Sequence, residues 1–234
     1  MVRLISFLNE QGIDLEHVRE ILSVNCQPFL NEIRKNSAIN ATRMLFSGRE
    51  DTRPVLRKKV RQDRKPKDTS KEVHETLDKM FQDAFGIKAR SQTLFTFPTS
   101  GLALGYGNPY YVFPVGKYEI IWSDKIGDLY GDLLNWMRDT VKPRNKKFVE
   151  MIDQEFDRLK IDKVLSQKLA QYLKKNLPID KTYQKGNLWK AVNYNNEIML
   201  YCKEWIGVHS QWKKITDNPM KSFDYLIGRI DEIN

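Results

Sequence analysis

In the stretch "YNNEIMLYC", Tyr194 to Cys202, a glutamate stands between a cluster of amides and an apolar run. Glu197 is therefore either a solvated strand end or a carboxylate held at a sheet edge for chemistry. A second concentration of charge runs from Arg53 to Asp68, where "RPVLRKKVRQDRKPKD" holds eight basic residues against two acidic ones. Such a run can meet phosphates by charge alone, through Arg57, Lys58, Lys59 and Arg61, or serve as a solvated connector. It contains no aromatic residue, so a base has no stacking platform within it. Other chemistries are excluded by pattern. Gly101, Gly105 and Gly107 in "GLALGYG" have the wrong spacing for a dinucleotide fingerprint, and no P-loop is present. His17, His74 and His209 are too scattered for sequence to pair them into a metal site. No nucleophile elbow or thiol–histidine signature occurs. Any catalysis must run on carboxylates, hydroxyls and cations.

The elements that would position these groups belong to a globular chain. Its 234 residues are 41% apolar and 11% aromatic, with a formal net charge of +9, enough for one large domain or a domain with an appendage. Cys26 and Cys202 have no metal-like spacing and suggest a reducing compartment. No apolar run reaches membrane-spanning length, and "MVRLISFLNEQG" turns polar too early for a secretory signal, so a cytosolic setting without a membrane is expected.

Periodicity divides the chain. "IDLEHVREILSVN" places Leu15, Val18, Ile21 and Leu22 at helical spacing behind Asp14 as N-cap, and Pro28 opens a second helix. "RMLFSG" reads as a strand. "DTSKEVHETLDKMFQDAFG" predicts a helix with Thr69 and Glu72 as a capping box, Gly86 as its stop, and His74 beside the apolar face as a boundary residue. "SQTLFTF", "YYVFPVG" and "YEIIWS" read as strands, with a turn or short helix in "PTSGLALGYGNP". Two helices are predicted over 146–176, a short helix in "GNLWKAVNY", one strand in "NEIMLYCKEWIGV" and a helical tail carrying Phe223, Leu226, Ile227 and Ile230. The five tryptophans read as core and rim aromatics. Helical flanks around a β-rich middle predict an α+β protein: a helical segment over 1–40, a core over 41–210 with a helical insertion near 146–176, and a helical tail over 211–234.

The stretch "RSQTLFTFPTSGLALGYGNPYYVFPVG" resembles the centre of an ADP-ribosyltransferase-type fold. Ser91, Phe95, Thr96, Ala103 and Tyr106 match its serine-bearing strand, phenylalanine–threonine pair, and alanine three residues before a tyrosine. "NNEIML" resembles the closing strand of that fold, whose first glutamate is catalytic. The order of motifs, including "VRQDRKPKDTSKEVHETLDKMFQDAFGIKARS", is similar to a group of tailed-phage proteins assigned this fold, and the likeness runs from Ala41 to Val208. It implies a split β-sheet core with flanking helices at both ends, and NAD as a substrate without a metal. It also assigns roles: Glu197 as the catalytic carboxylate, Ser91 and Thr96 as hydroxyls placing the nicotinamide ribose, and Tyr106 as a stacking ring.

The chain departs from the pattern at the first core strand, where Ser47 precedes Gly48 in place of the family's arginine. Arg43 and Arg49 flank Ser47, and in a strand all three point to one face, so either arginine could grip the pyrophosphate. Asn195 stands where arginine-modifying relatives carry a second glutamate, which makes a protein arginine a less favoured acceptor. Two functions follow. One is a phage transferase moving ADP-ribose from NAD to a host protein or nucleic acid in the host cytoplasm. The other is an inactive descendant, a virion or DNA-associated protein that uses its basic surface and travels in the phage particle.

Overall fold

The computed structural model describes residues 14–65, 69–129, 131–132, 135, 150 and 163–232. In chain order these form helices α1 (Leu15–Asn25) and α2 (Gln27–Arg34), strands β1 (Phe46–Arg49) and β2 (Val55–Lys59), and helix α3 (Lys71–Phe85). Strands β3 (Leu94–Thr96), β4 (Asn108–Pro114) and β5 (Tyr118–Trp122) come next, before helix α4 (Lys163–Asn176). Strands β6 (Gln184–Lys185), β7 (Ile198–Cys202) and β8 (Glu204–His209) precede helix α5 (Pro219–Leu226). Helices combined with two antiparallel sheets make the protein α+β, as the sequence predicts. The helix predicted over 146–160 falls almost wholly outside the described residues. No helix among the described residues is long and apolar enough to cross a membrane.

The chain divides into two compact units, the first made of Met1–Val60, Leu94–Ile120 and Gly186–Asn234. At its N-terminal end the Asp14 carboxylate accepts the His17 amide at 2.8 Å and caps α1, whose Val18, Ile21 and Leu22 are buried. Pro28 sits in the first turn of α2, which buries Phe29, Leu30 and Ile33. One sheet runs β1-β4-β8-β2 with all neighbours antiparallel. Its inner strand β4 buries six consecutive residues from Pro109 to Pro114, which explains why that segment is apolar on both faces. The second sheet begins β3-β7-β5. Phe46 of β1 and Phe97 exchange two backbone hydrogen bonds, each 2.7 Å, so the two sheets are pinned where β1 passes the end of β3.

The second unit comprises Arg61–Thr93 and Ile121–Lys185. Its α3 buries Val73, Leu77 and Phe81 along one stripe and packs against α4. Gly86 ends α3 with φ 76°, and its amide donates to the Gln82 carbonyl at 2.9 Å. The Phe81 ring meets Tyr183 edge-on at 4.9 Å. The last two residues of β5, Ile121 and Trp122, pair here with Lys185 and Gln184 of β6.

Several boundaries differ from the sequence reading. The N-cap of α3 is Ser70 rather than Thr69, whose hydroxyl accepts from Arg90 Nη2 at 2.7 Å instead. Ser91 and Gln92 belong to a helical turn, Ala89–Gln92, because Asp78 accepts the amides of Arg90 and Ser91; the strand starts at Leu94. β1 starts at Phe46, since Asn40 and Arg43 close a turn just before it. The predicted single strand after Glu197 is two strands in two sheets, breaking at Lys203. Exposed Lys203 and half-buried Glu204 interrupt the apolar run, and the chain changes sheets at that charged pair. The tail helix ends at Leu226, with Gly228 at φ 73° beyond it, leaving Ile230 off the helix. Val55–Lys59, inside the basic run, is an edge strand.

The tightest packing of the first unit lies over β1. A Cβ on Gly48 would stand 2.2 Å from the Ala103 carbonyl oxygen and 2.7 Å from the Tyr106 carbonyl carbon, both backbone atoms that cannot swing aside. Gly48→Ala is expected to destabilise the protein by about 3 kcal/mol, at the upper end of overpacking costs. Gly101→Ala, where the new methyl meets nothing within 4 Å, serves as the control and is expected to melt within about 0.5 kcal/mol of wild type. Equal melting of the two variants in a thermal scan would contradict this account of β1.

Candidate functional site

Eight residues of the NAD reading lie in the first unit: Arg43, Ser47, Gly48, Arg49, Thr96, Tyr106, Asn195 and Glu197. Ser47 is buried at 3% exposure, and its hydroxyl donates to the Phe95 carbonyl at 3.3 Å, so it ties β1 to β3. Gly48 admits the backbone of Ala103 and Tyr106. The Arg49 guanidinium lies over the Trp205 ring, 5.2 Å from its centroid. Arg43 stands outside β1, which corrects the expectation that it shares a strand face with Ser47 and Arg49. Its Nη1 donates to the Val192 carbonyl at 3.2 Å and to the Asn195 side-chain oxygen at 3.1 Å. That contact sets a guanidinium against the loop that enters β7.

Glu197 is the last residue of that loop, half-buried and directly before β7. Thr96 of β3 is fully buried, and its hydroxyl donates to the carbonyl of Ile198, the next residue, at 2.7 Å. β3 and β7 are in register here, with Thr96 opposite Ile198. Tyr106, 63% exposed, stacks on Phe97 at 5.0 Å with 17° between the rings. Arg43 thus lies against the loop that ends in Glu197, and the exposed Tyr106 ring lies over Phe97, the residue after Thr96. A guanidinium suits paired phosphate oxygens, and a carboxylate suits a developing positive charge. A hollow of about 420 Å³ in this unit is lined by Pro28, Asn36, Ile39 and Trp189, among others, and none of the eight residues lines it.

Ser91 lies in the second unit, within a network that the local sequence around it does not reveal. Its hydroxyl donates to Asp78, which also accepts the amides of Arg90 at 2.8 Å and Ser91 at 3.2 Å. The Arg90 Nε–H donates to His74 Nδ1 at 3.3 Å, which leaves the ring proton on Nε2, 3.0 Å from Ser91 Oγ. Arg90 Nη1 also donates to the Leu129 carbonyl at 3.1 Å. His74 is thus a buried participant rather than a boundary residue. The one trace of this in sequence is the spacing of His74 and Asp78, four apart on one helix face. Because the imidazole N–H donates a hydrogen bond to Ser91, it cannot act as that hydroxyl's base in this arrangement; Asp78, which accepts from the hydroxyl, holds that position.

The four cations of the basic run named for phosphate contact divide. Arg57 Nη2 pairs with Glu204 at 2.6 Å, and Lys58 pairs with Asp51 at 3.3 Å. Asp51 also pairs with Arg53 at 2.7 Å, and the hydrogen bond from Arg53 holds its carboxyl well below the usual range. Lys59 is exposed at the end of β2, and Arg61 is exposed at the start of the second unit. Among the described residues no group of three or more His, Cys, Asp or Glu side chains is arranged to hold a metal ion.

Burial pushes His74 below its ordinary pKa, with Asp78 opposing and Arg90 and Arg64 adding to the effect; burial also lowers His209. The folded protein therefore binds fewer protons than the unfolded chain once the pH falls below about 6.5, and stability drops as the pH goes from 7.5 to 5.5. His74→Gln keeps a donor and an acceptor without the titration, and is expected to lose less melting temperature over that window than wild type. An equal loss would contradict the assignment. The chain matches no protein-family model, no curated protein and no solved structure.

Proposed function

We propose that the chain is a phage-encoded ADP-ribosyltransferase that transfers ADP-ribose from NAD to a host macromolecule, on an ADP-ribosyltransferase-like split core. The observation that carries this reading is the contact of Arg43 with Asn195 and Val192, which sets a guanidinium on the loop ending in Glu197. It offers a cation for the pyrophosphate from outside the first strand, where the chain has Ser47. The resemblance of "RSQTLFTF" and "NNEIML" to that family supports the same reading.

The chemistry follows from the residue types. The bond between the ribose anomeric carbon and nicotinamide breaks, and its electron pair leaves with nicotinamide. Glu197 accepts a hydrogen bond from a ribose hydroxyl and stabilises the positive charge growing on the ring. An acceptor nucleophile then bonds to the anomeric carbon and loses its proton. Thr96 fixes the start of β7 through the Ile198 carbonyl, and so fixes the Glu197 backbone. Tyr106 offers an exposed ring face for nicotinamide. The alternative of an inactive, nucleic-acid-binding descendant is the weaker reading, because Arg57 and Lys58 are committed to Glu204 and Asp51.

Glu197→Gln is expected to lower transfer from labelled NAD by about 10²–10³-fold while leaving the melting temperature nearly unchanged. Arg43→Ala is expected to raise KM for NAD by about tenfold, the value of one charge-assisted hydrogen bond. A wild-type protein that releases no nicotinamide from NAD, or a Glu197→Gln variant with full activity, would overturn the proposal.

A further inference from the structure

The second unit contains a hollow of about 880 Å³, and the twelve described residues that line it are all polar or charged. We propose that it is a binding site for a phosphorylated sugar. Five of its lining residues are cations (Arg64, Lys65, Lys71, Lys79 and Lys88) and three are carboxylates (Asp63, Glu75 and Asp78). Pairing removes much of this charge. Lys71 meets Glu75 at 3.7 Å, and Lys79 meets Asp83 at 2.6 Å. Asp78 accepts the amides of Arg90 and Ser91 and the Ser91 hydroxyl, neutral donors that hold it in place without cancelling its charge. The lining as a whole keeps an excess of cations, five against three carboxylates, and Lys65 and Lys88 are both exposed. Among the described residues no ion pair holds Lys65 or Lys88.

The basic run thus has two fates. Its first half is a sheet edge with paired cations. Its second half, Gln62 to Lys65, forms one wall of the hollow, and the Arg64 amide donates to the Ser91 carbonyl at 3.3 Å to hold that wall against the Ala89–Gln92 turn. The floor is preorganised, since His74 and Asp78 are each 5% exposed and Ser91 is fixed between them. An excess of cation around a concave floor suits a phosphate monoester. Gln62, Gln82, Ser91 and the carboxylates supply the donors and acceptors that sugar hydroxyls require. Among the described residues no Phe, Tyr or Trp lines the hollow, so no large ring is offered to a nucleic-acid base.

Calorimetric titration of the full chain with ribose 5-phosphate and with glucose 6-phosphate tests the proposal independently of NAD. At least one is expected to bind saturably, at least tenfold more tightly than inorganic phosphate or the free sugar. The double variant Lys65→Glu, Lys88→Glu changes two exposed side chains, and is expected to weaken that binding by at least tenfold with an unchanged melt. Glu197→Gln and Arg43→Ala are expected to leave it intact, which separates this site from the NAD reading. Absence of saturable binding by both sugar phosphates would overturn the proposal. So would inorganic phosphate or a single-stranded oligonucleotide binding as tightly, full affinity in the double variant, or loss of binding in the Glu197 or Arg43 variants.

Discussion

The arrangement of the first unit depends on how closely β1 approaches its neighbours. Phe46 and Phe97 satisfy each other's backbone groups through two hydrogen bonds of 2.7 Å, and Gly48 leaves no room for a side chain beneath Ala103 and Tyr106. Gly107, at φ 121°, closes the other side, where a Cβ would lie 2.6 Å from the Arg49 carbonyl carbon. The Phe46 ring packs on Tyr111 at 4.8 Å, Tyr111 packs on Phe223 at 5.3 Å, and the Tyr111 hydroxyl donates to the Ala41 carbonyl at 3.0 Å. Strand, loop and terminal helix are thereby fixed to one another. Displacing β1 would leave buried amides unsatisfied and disturb the loop that carries Arg43.

Charge is distributed with the same economy. Carboxylates within reach neutralise cations along the edge strand, and an edge strand rich in lysine and arginine is also poor at pairing with another chain. Arg43 departs from this pattern by donating to a carbonyl and an amide oxygen, both uncharged, at the loop before Glu197. In the second unit half-buried Ser91 and buried Asp78, His74 and Arg90 satisfy one another. Such a network rigidifies its surroundings when complete and is costly when broken.

What the sequence reveals here is what local chemistry determines. The Asp14 cap, Pro28 at a helix start and Gly86 at a helix end all act within a few residues, and they are legible. The apolar period of α3 is legible for the same reason. Strand β2 is not, because its pairing with β8 is made about 150 residues away and its own residues alternate poorly. The break at Lys203 could be read only from the charged pair interrupting an apolar run. Glu197 at the mouth of β7 follows from sequence, as does Thr96 on β3. The turn that carries Ser91 does not, because the carboxylate that shapes it comes from another helix.

The NAD reading requires that the dinucleotide bind beside the loop that ends in Glu197, with its nicotinamide ribose on Glu197 and its pyrophosphate on Arg43. A crystal structure of the Glu197→Gln variant soaked with NAD examines this directly. The account predicts a ribose hydroxyl within hydrogen-bonding distance of residue 197 and phosphate oxygens on the Arg43 guanidinium. Dinucleotide bound elsewhere, or none bound at saturating concentration, would contradict it.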